Sequence, residues 1–151
     1  MVQLEFTQKL AVSQQQAWDF FSSPQNLNAI TPPEMKFKIL SSVPERMYEG
    51  LLIHYRISPF TGIAFQWLTE ITHIQHGTYF VDEQRMGPYR LWHHEHHFKP
   101  LYDGVEMTDL LSYDIGKGII GSIAGAVFVH QQVKRIFQYR RSKLATLFGE
   151  L

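Results

Sequence analysis

The sequence of 151 residues contains no cysteine. That absence excludes a disulfide scaffold, thiolate-bound zinc, a thiolate nucleophile and thiol redox chemistry. An excess of either charge is also missing, since Lys plus Arg number 14 and Asp plus Glu number 14. No bulk positive field is available to draw in nucleic acid or an anionic membrane, so neither is an expected partner. No apolar run reaches the ~18 residues of a transmembrane helix, and stable membrane insertion is not expected. The opening MVQLEFTQKL alternates and carries charge, unlike a signal peptide, which predicts a cytoplasmic protein. What is present is a folding composition. Hydrophobic residues make up 44% and charged residues 19%, with three Trp, seven Tyr and eleven Phe. A chain of this length hides roughly 70% of its unfolded surface and needs no staples, so a single domain over residues 1–151 is predicted.

Most of the chain follows a period of two. Val2, Leu4, Phe6, Leu10 and Val12 share one parity against Gln3, Glu5 and Lys9, the pattern of a half-buried strand. Ser13 with Gln16 three residues later is a capping box, which predicts a short helix burying Ala17, Phe20 and Phe21. Ser23-Pro24 opens a second short helix carrying Leu27 and Ile30, which must stop near Pro32-Pro33. Alternation then returns. It runs through Phe37 and Ile39, Leu51 to Ser58, Ile63 to Thr72, Gly77 to Gln84, Leu91 to Lys99 and Gly104 to Asp114, with turn residues between. After Gly121 the period changes. Ile123, Ala126, Val127, His130, Val133, Phe137, Arg140, Leu144 and Phe148 fall at three- and four-residue steps, which predicts one helix over residues 122–148. Seven antiparallel strands with a long terminal helix on the apolar face give an α+β architecture.

Half of the eight His residues lie in Trp92-His93-His94-Glu95-His96-His97-Phe98. On a strand, Trp92, His94, His96 and Phe98 share one face, and Leu91, His93, Glu95 and His97 share the other. The two large rings place the first face inward. Asp109 shares a face with Val105, Met107, Leu111, Tyr113 and Ile115, so it too points inward and must find a partner, either His94, His96 or Arg140. Three readings of the group stand side by side. It can bind metal, with Asp109 as the one inward third ligand. It can act in acid–base catalysis near neutral pH. It can be a self-satisfied cluster bracing one end of a cavity and presenting a polar surface to a ligand. With no Cys and no further inward His, no metal is assigned, and no cofactor is expected.

Two other signals are set aside. Gly116-Lys117-Gly118-Ile119-Ile120-Gly121 matches the glycine spacing of a dinucleotide loop, but no second parallel strand can follow it. The basic stretch Lys134, Arg135, Arg140, Arg141 and Lys143 reads as the wet face of the last helix.

The stretch Phe80 to Phe98 carries Asp82, Gln84, Gly87, Pro88, Trp92, His94, His96 and Phe98, followed by Met107-Thr108-Asp109, Tyr113 and the late pair Phe137 and Arg140. This pattern, with the element order of the whole chain, resembles the START-like or SRPBCC superfamily with its helix-grip fold. The resemblance implies a seven-stranded antiparallel sheet wrapped around the long C-terminal helix, with two short helices after the first strand. It also implies an internal hydrophobic cavity, since members bind lipids, sterols, quinones, plant hormones or polyketides, and a minority catalyse cyclisation, dehydration or hydrolysis. Binding of a small hydrophobic or amphipathic molecule between sheet and helix is therefore the expected function. A cyclase or dehydratase using His94, His96 and Asp109 is the alternative enzyme, and a protein-interaction module using the basic helix face is the third reading. The expected ligand-contacting residues are Tyr55, Phe65, Trp67, Phe80, Trp92, His94, His96, Met107, Asp109 and Tyr113. Phe37, Ile123 and Val127 are further candidates for the cavity lining.

Overall fold

The computed structural model describes residues 1–60, 62–116 and 123–151, the side chains of Phe60, Ile123 and Ala124 excepted. The chain runs β1 (Val2–Leu10), α1 (Gln14–Phe21), a 3-10 segment (Pro24–Ile30), a short one (Pro33–Met35), β2 (Lys38–Ile39) and β3 (Leu52–Phe60). It continues β4 (Ile63–Gln75), β5 (Tyr79–Met86), β6 (Leu91–Pro100), β7 (Val105–Asp114) and α2 (Ile123–Phe148). The seven strands form one antiparallel sheet in the order β1-β7-β6-β5-β4-β3-β2. The second short helix expected from Ser23-Pro24 is a 3-10 turn series, and the strand expected around Phe37 keeps only two residues. The glycine-rich segment from Lys117 to Gly121 lies outside the described residues.

Local chemistry accounts for the elements. Ser13 caps α1 by accepting from the Gln16 amide, while the Gln16 side chain accepts from the Ser13 amide at 3.0 Å, so two orphan donors are satisfied reciprocally. The helix buries Ala17, Trp18 and Phe21. Trp18 meets Phe80 and Phe98 edge-on, with ring centroids 6.0 and 5.7 Å away. Two register shifts in the β4–β5 ladder, at Leu68/Thr69 and Ile71/His73, bend the sheet. The C-terminus is tied back to β1, where the Leu151 amide donates to the Lys9 carbonyl at 3.1 Å.

The apolar interior falls into two clusters. One gathers Leu51, Ile53, Tyr55, Ile57, Trp67, Tyr89, Leu111 and Tyr113 around Val129, Val133 and Phe137 of α2. The other gathers Leu10, Trp18, Phe21, Ile30, Phe80, Phe98, Val105 and Met107 around Leu144. The buried face of α2 is thus Val129, Val133, Phe137, Arg140 and Leu144. The helix covers the sheet as expected, but two assignments change. Val127 is 53% exposed, because the face that docks is phased on Val129 rather than on Val127. Arg140 is buried, whereas Lys134, Arg135, Arg141 and Lys143 form the wet face.

This phase yields a prediction. Val133→Asp should lower the unfolding free energy by about 3 kcal/mol or more, since it buries an unpaired charge. Val127→Asp should stay within about 0.5 kcal/mol of the parent. Urea denaturation of the two variants measures both, and equal effects contradict the helix phase.

Candidate functional site

A layer of polar side chains separates the two clusters, and the strand registers assemble it. Asp82 on β5 stands opposite His94 on β6, and His96 stands opposite Asp109 on β7. Along β6, β7 and α2 the switch from one cluster to the other falls at this layer. On β7, Val105 and Met107 belong to one cluster, Leu111 and Tyr113 to the other, and Asp109 lies between. On α2, Arg140 holds the same place between Phe137 and Leu144.

The two imidazoles lie between the two carboxylates, with ring centroids 3.8 Å apart. Asp109 Oδ1 accepts from His94 Nε2 at 3.0 Å. His96 Nδ1 sits 2.9 Å from the same oxygen without hydrogen-bond geometry, and Arg140 Nη1 is 3.8 Å from it. On the other side, His96 Nε2 reaches Asp82 Oδ2 at 2.7 Å, and His94 Nδ1 is 3.5 Å from that oxygen. His96 stacks on Phe80 at 4.1 Å, and Phe137 packs against His94 at 5.4 Å and under the Arg140 guanidinium at 5.0 Å. His94, His96, Asp109 and Arg140 are each at most 8% exposed.

Burial pushes the pKa of His94 down, and the neighbouring His96 adds to this against the pull of the carboxylates. Burial also disfavours a charge on His96, but its contacts with Asp109 and Asp82 outweigh that and raise its pKa. Desolvation works against charge on Asp82 and Asp109, yet the imidazoles hold both carboxyls well below the usual range. The layer therefore sets two carboxylates against Arg140 and the more basic imidazole, His96.

A cavity opens beside the layer, under β3 to β6 and covered by the 3-10 segment and Ile136 and Arg140 of α2. It offers about 140 Å³ to the centres of water-sized spheres, some ten times the ~10–15 Å³ that one water needs. Asp82 and Arg140 are the charged residues of its wall, and both belong to the layer. Behind Gly87 the Gln84 side chain clamps the turn. It donates to the Tyr89 carbonyl at 2.5 Å and accepts from the Tyr89 amide at 3.2 Å, which fixes the Tyr89 ring in the cavity wall. A Cβ at Gly87 would collide with that Gln84 amide, so a larger residue there would displace the clamp.

Of the residues expected to meet a ligand, Tyr55, Trp67, Phe80, Trp92, His94 and His96 line this cavity, as does Phe37. Met107 and Asp109 instead line a separate cleft between β1, β7 and α2, with Arg140 in the wall of both. Tyr113 points to α2, where its hydroxyl meets His130 Nδ1 at 2.9 Å, and Phe65 packs on the rim of the first cluster. His93, Glu95 and His97 take the opposite face of β6, pairing with Glu83 and with each other. Asp82 entered the sequence reading only as part of a family pattern. Its signals were its parity with Phe80 and its place across from His94, and the second needs the register. The cover residues Leu27, Ile30, Met35 and Met47 also line the cavity.

No family model and no curated protein matches the sequence. Solved structures do match in fold. A protein from Chromobacterium violaceum aligns over 97% of this chain and 96% of its own, with a TM-score of 0.72 at 14% identity. A START superfamily protein from Mycobacterium smegmatis aligns over 96% and 98%, with a TM-score of 0.67 at 13% identity. A major latex-like protein from Panax ginseng aligns over 93% and 97%, with a TM-score of 0.61 at 14% identity. The chain has the START-like helix-grip fold, and among its described helices none is long and apolar enough to cross a membrane.

Asp109 is the acceptor on which the layer closes. Asp109→Ala should cost about 3–5 kcal/mol, because it strands Arg140 and the imidazoles in the interior. A loss below about 1 kcal/mol in urea denaturation contradicts that role.

Proposed function

We propose that the protein binds a small hydrophobic or amphipathic molecule in the cavity, with the molecule's polar end against the polar layer. The observation that carries this reading is the asymmetry of the wall. Ile53, Ile57, Trp67, Ile71 and Phe80 make it apolar, while its Asp, His and Arg side chains gather in the one cluster of Asp82, His94, His96 and Arg140. Pockets built this way hold an apolar body and orient it by a few polar contacts.

The cluster favours a polar end that accepts hydrogen bonds. Arg140 Nε and Nη1 and Trp67 Nε1 are buried donors with no hydrogen-bond partner. A buried donor left without an acceptor costs about 1–3 kcal/mol, so a carbonyl or carboxylate oxygen placed there relieves that penalty. Tyr55 and Thr69 satisfy each other across the wall at 3.1 Å and contribute shape rather than free donors. The similarity to a START superfamily protein supports a cavity fold without naming a ligand.

Native mass spectrometry of gently purified protein should show a retained adduct of small-molecule mass. Titration with fluorescent fatty-acyl, sterol and quinone probes should give saturable binding. Leu27→Trp fills the cavity from its cover and should weaken that binding at least tenfold, roughly the loss of one buried apolar contact. Arg140→Met should weaken probes with an acceptor end about 10- to 100-fold and leave purely apolar probes unchanged. Failure of every probe to saturate, with unchanged mass spectra, contradicts the reading.

A further inference from the structure

We propose that Asp82, His94 and His96 form a binding site for a divalent first-row transition-metal ion, with Asp109 orienting both imidazoles from behind. The sequence offered Asp109 as the single third ligand for the inward His pair. The structure supplies another carboxylate, and it lies on the cavity side. Asp82, His94 and His96 all line the cavity, and each offers one ligand atom within 4.8 Å of the others. Asp109 does not line it.

The ring nitrogens of His94 sort in the same way. Asp109 Oδ1 accepts the proton of His94 Nε2 and lies 2.9 Å from His96 Nδ1. That carboxylate holds His94 with its proton toward Asp109 and its Nδ1 lone pair toward Asp82, whereas His96 hydrogen-bonds Asp82 through Nε2 and must move that proton to Nδ1 when it takes up an ion. The atoms left facing Asp82 Oδ2 are His94 Nδ1 at 3.5 Å and His96 Nε2 at 2.7 Å. A proton on His96 Nε2 bridges that ring to Asp82, and a metal ion taking its place would bridge all three atoms. Metal–ligand bonds of ~2.0–2.2 Å separate neighbouring ligand atoms by about 3–3.5 Å. The His94 pair already fits that spacing, and the His96 pair must open by a few tenths of an ångström.

The donor set selects the class of ion. Two imidazoles and one carboxylate suit zinc, iron(II), cobalt(II) or nickel(II), whereas magnesium and calcium prefer all-oxygen shells and copper(I) prefers sulfur. Three protein ligands leave coordination positions open, and these face the cavity beside Arg140. The fold should not depend on the ion, because the His94–Asp109 and His96–Asp82 hydrogen bonds hold the four side chains without it. This proposal is independent of which organic molecule fills the cavity.

The test uses the full chain after chelator treatment, which circular dichroism should show to be still folded. Cobalt(II) should give visible d–d absorption that saturates at one equivalent and is displaced by zinc(II), and magnesium should not compete. In long-range proton–nitrogen spectra zinc(II) should shift the imidazole signals of His94 and His96 and leave the other His unmoved. Asp82→Asn should weaken cobalt binding by at least about 100-fold. The double variant His93→Gln/His97→Gln, on the outer face, should bind within about threefold of the parent. The absence of saturable cobalt binding overturns the proposal. So does binding that survives Asp82→Asn but is lost in the outer-face double variant. If Asp82→Asn does not fold, the imidazole shifts in the unaltered protein decide. Probe binding to the metal-free protein, measured in parallel, shows separately whether the cavity reading stands.

Discussion

One carboxylate oxygen in the interior holds the architecture in place. Asp109 Oδ1 lies within 3.0 Å of a nitrogen on each of two imidazoles and within 3.8 Å of a guanidinium, all nearly dry. Removing an ion from water is costly, and the cost is offset only when the surrounding charges and hydrogen bonds are well placed. That requirement fixes several things together. β6 and β7 must pair in the register that sets His96 opposite Asp109. β5 must present Asp82 opposite His94. The long helix must rotate so that Arg140 faces the sheet, which in turn brings Val133, Phe137 and Leu144 inward. A slip of one residue in any strand would turn its contribution outward.

The layer also explains why a cavity exists beside it. Apolar clusters that met freely would collapse to ordinary packing density. Here polar groups stand between them, and their hydrogen-bond geometry holds the neighbouring walls apart. Aromatic rings brace the layer from both sides, Phe80 flat against His96 and Phe137 against His94 and Arg140. The Gln84 clamp on the Gly87 turn then sets Tyr89 at the far side of the cavity.

The strands and their antiparallel meander were readable from alternation and the turns between them, because a period of two is fixed by backbone geometry and one face is buried along most strands; the pairing of β1 with β7 is seen only in the folded sheet. His94, His96 and Asp109 were placed inward by the same parity. Three further things were not readable. Parity gives the face of a strand but not what lies above each position. Met107 and Tyr113 are inward, yet Met107 faces the cleft between β1, β7 and α2 and Tyr113 meets His130 of the helix, neither of them lining the ligand cavity. The phase of α2 was ambiguous, since Val127 and Val129 are both apolar and only docking selects the second. Asp82 is one of several charged residues in Asp82-Glu83-Gln84-Arg85, and its partnership with His94 exists only once the β5–β6 register is known.

A core split by a fixed polar layer has a consequence for how the chain can vary. Side chains above the layer, such as Ile53, Trp67 and Leu111, pack in one cluster and Trp18, Phe98 and Leu144 in another below it, with Met47 and Ile74 packed against both. Substitutions in separate packing units combine nearly additively, whereas those within one unit couple. Both units reach the cavity wall, the upper through Ile53, Ile57, Trp67 and Ile71 and the lower through Phe21, Ile30 and Phe80, while the lower one also seats α1 and the end of α2. The part of the cavity wall drawn from the upper unit can therefore be re-cut while the lower unit keeps α1 and the helix end in place. Such a partition lets a lineage exchange one bound molecule for another without first having to re-evolve a stable domain.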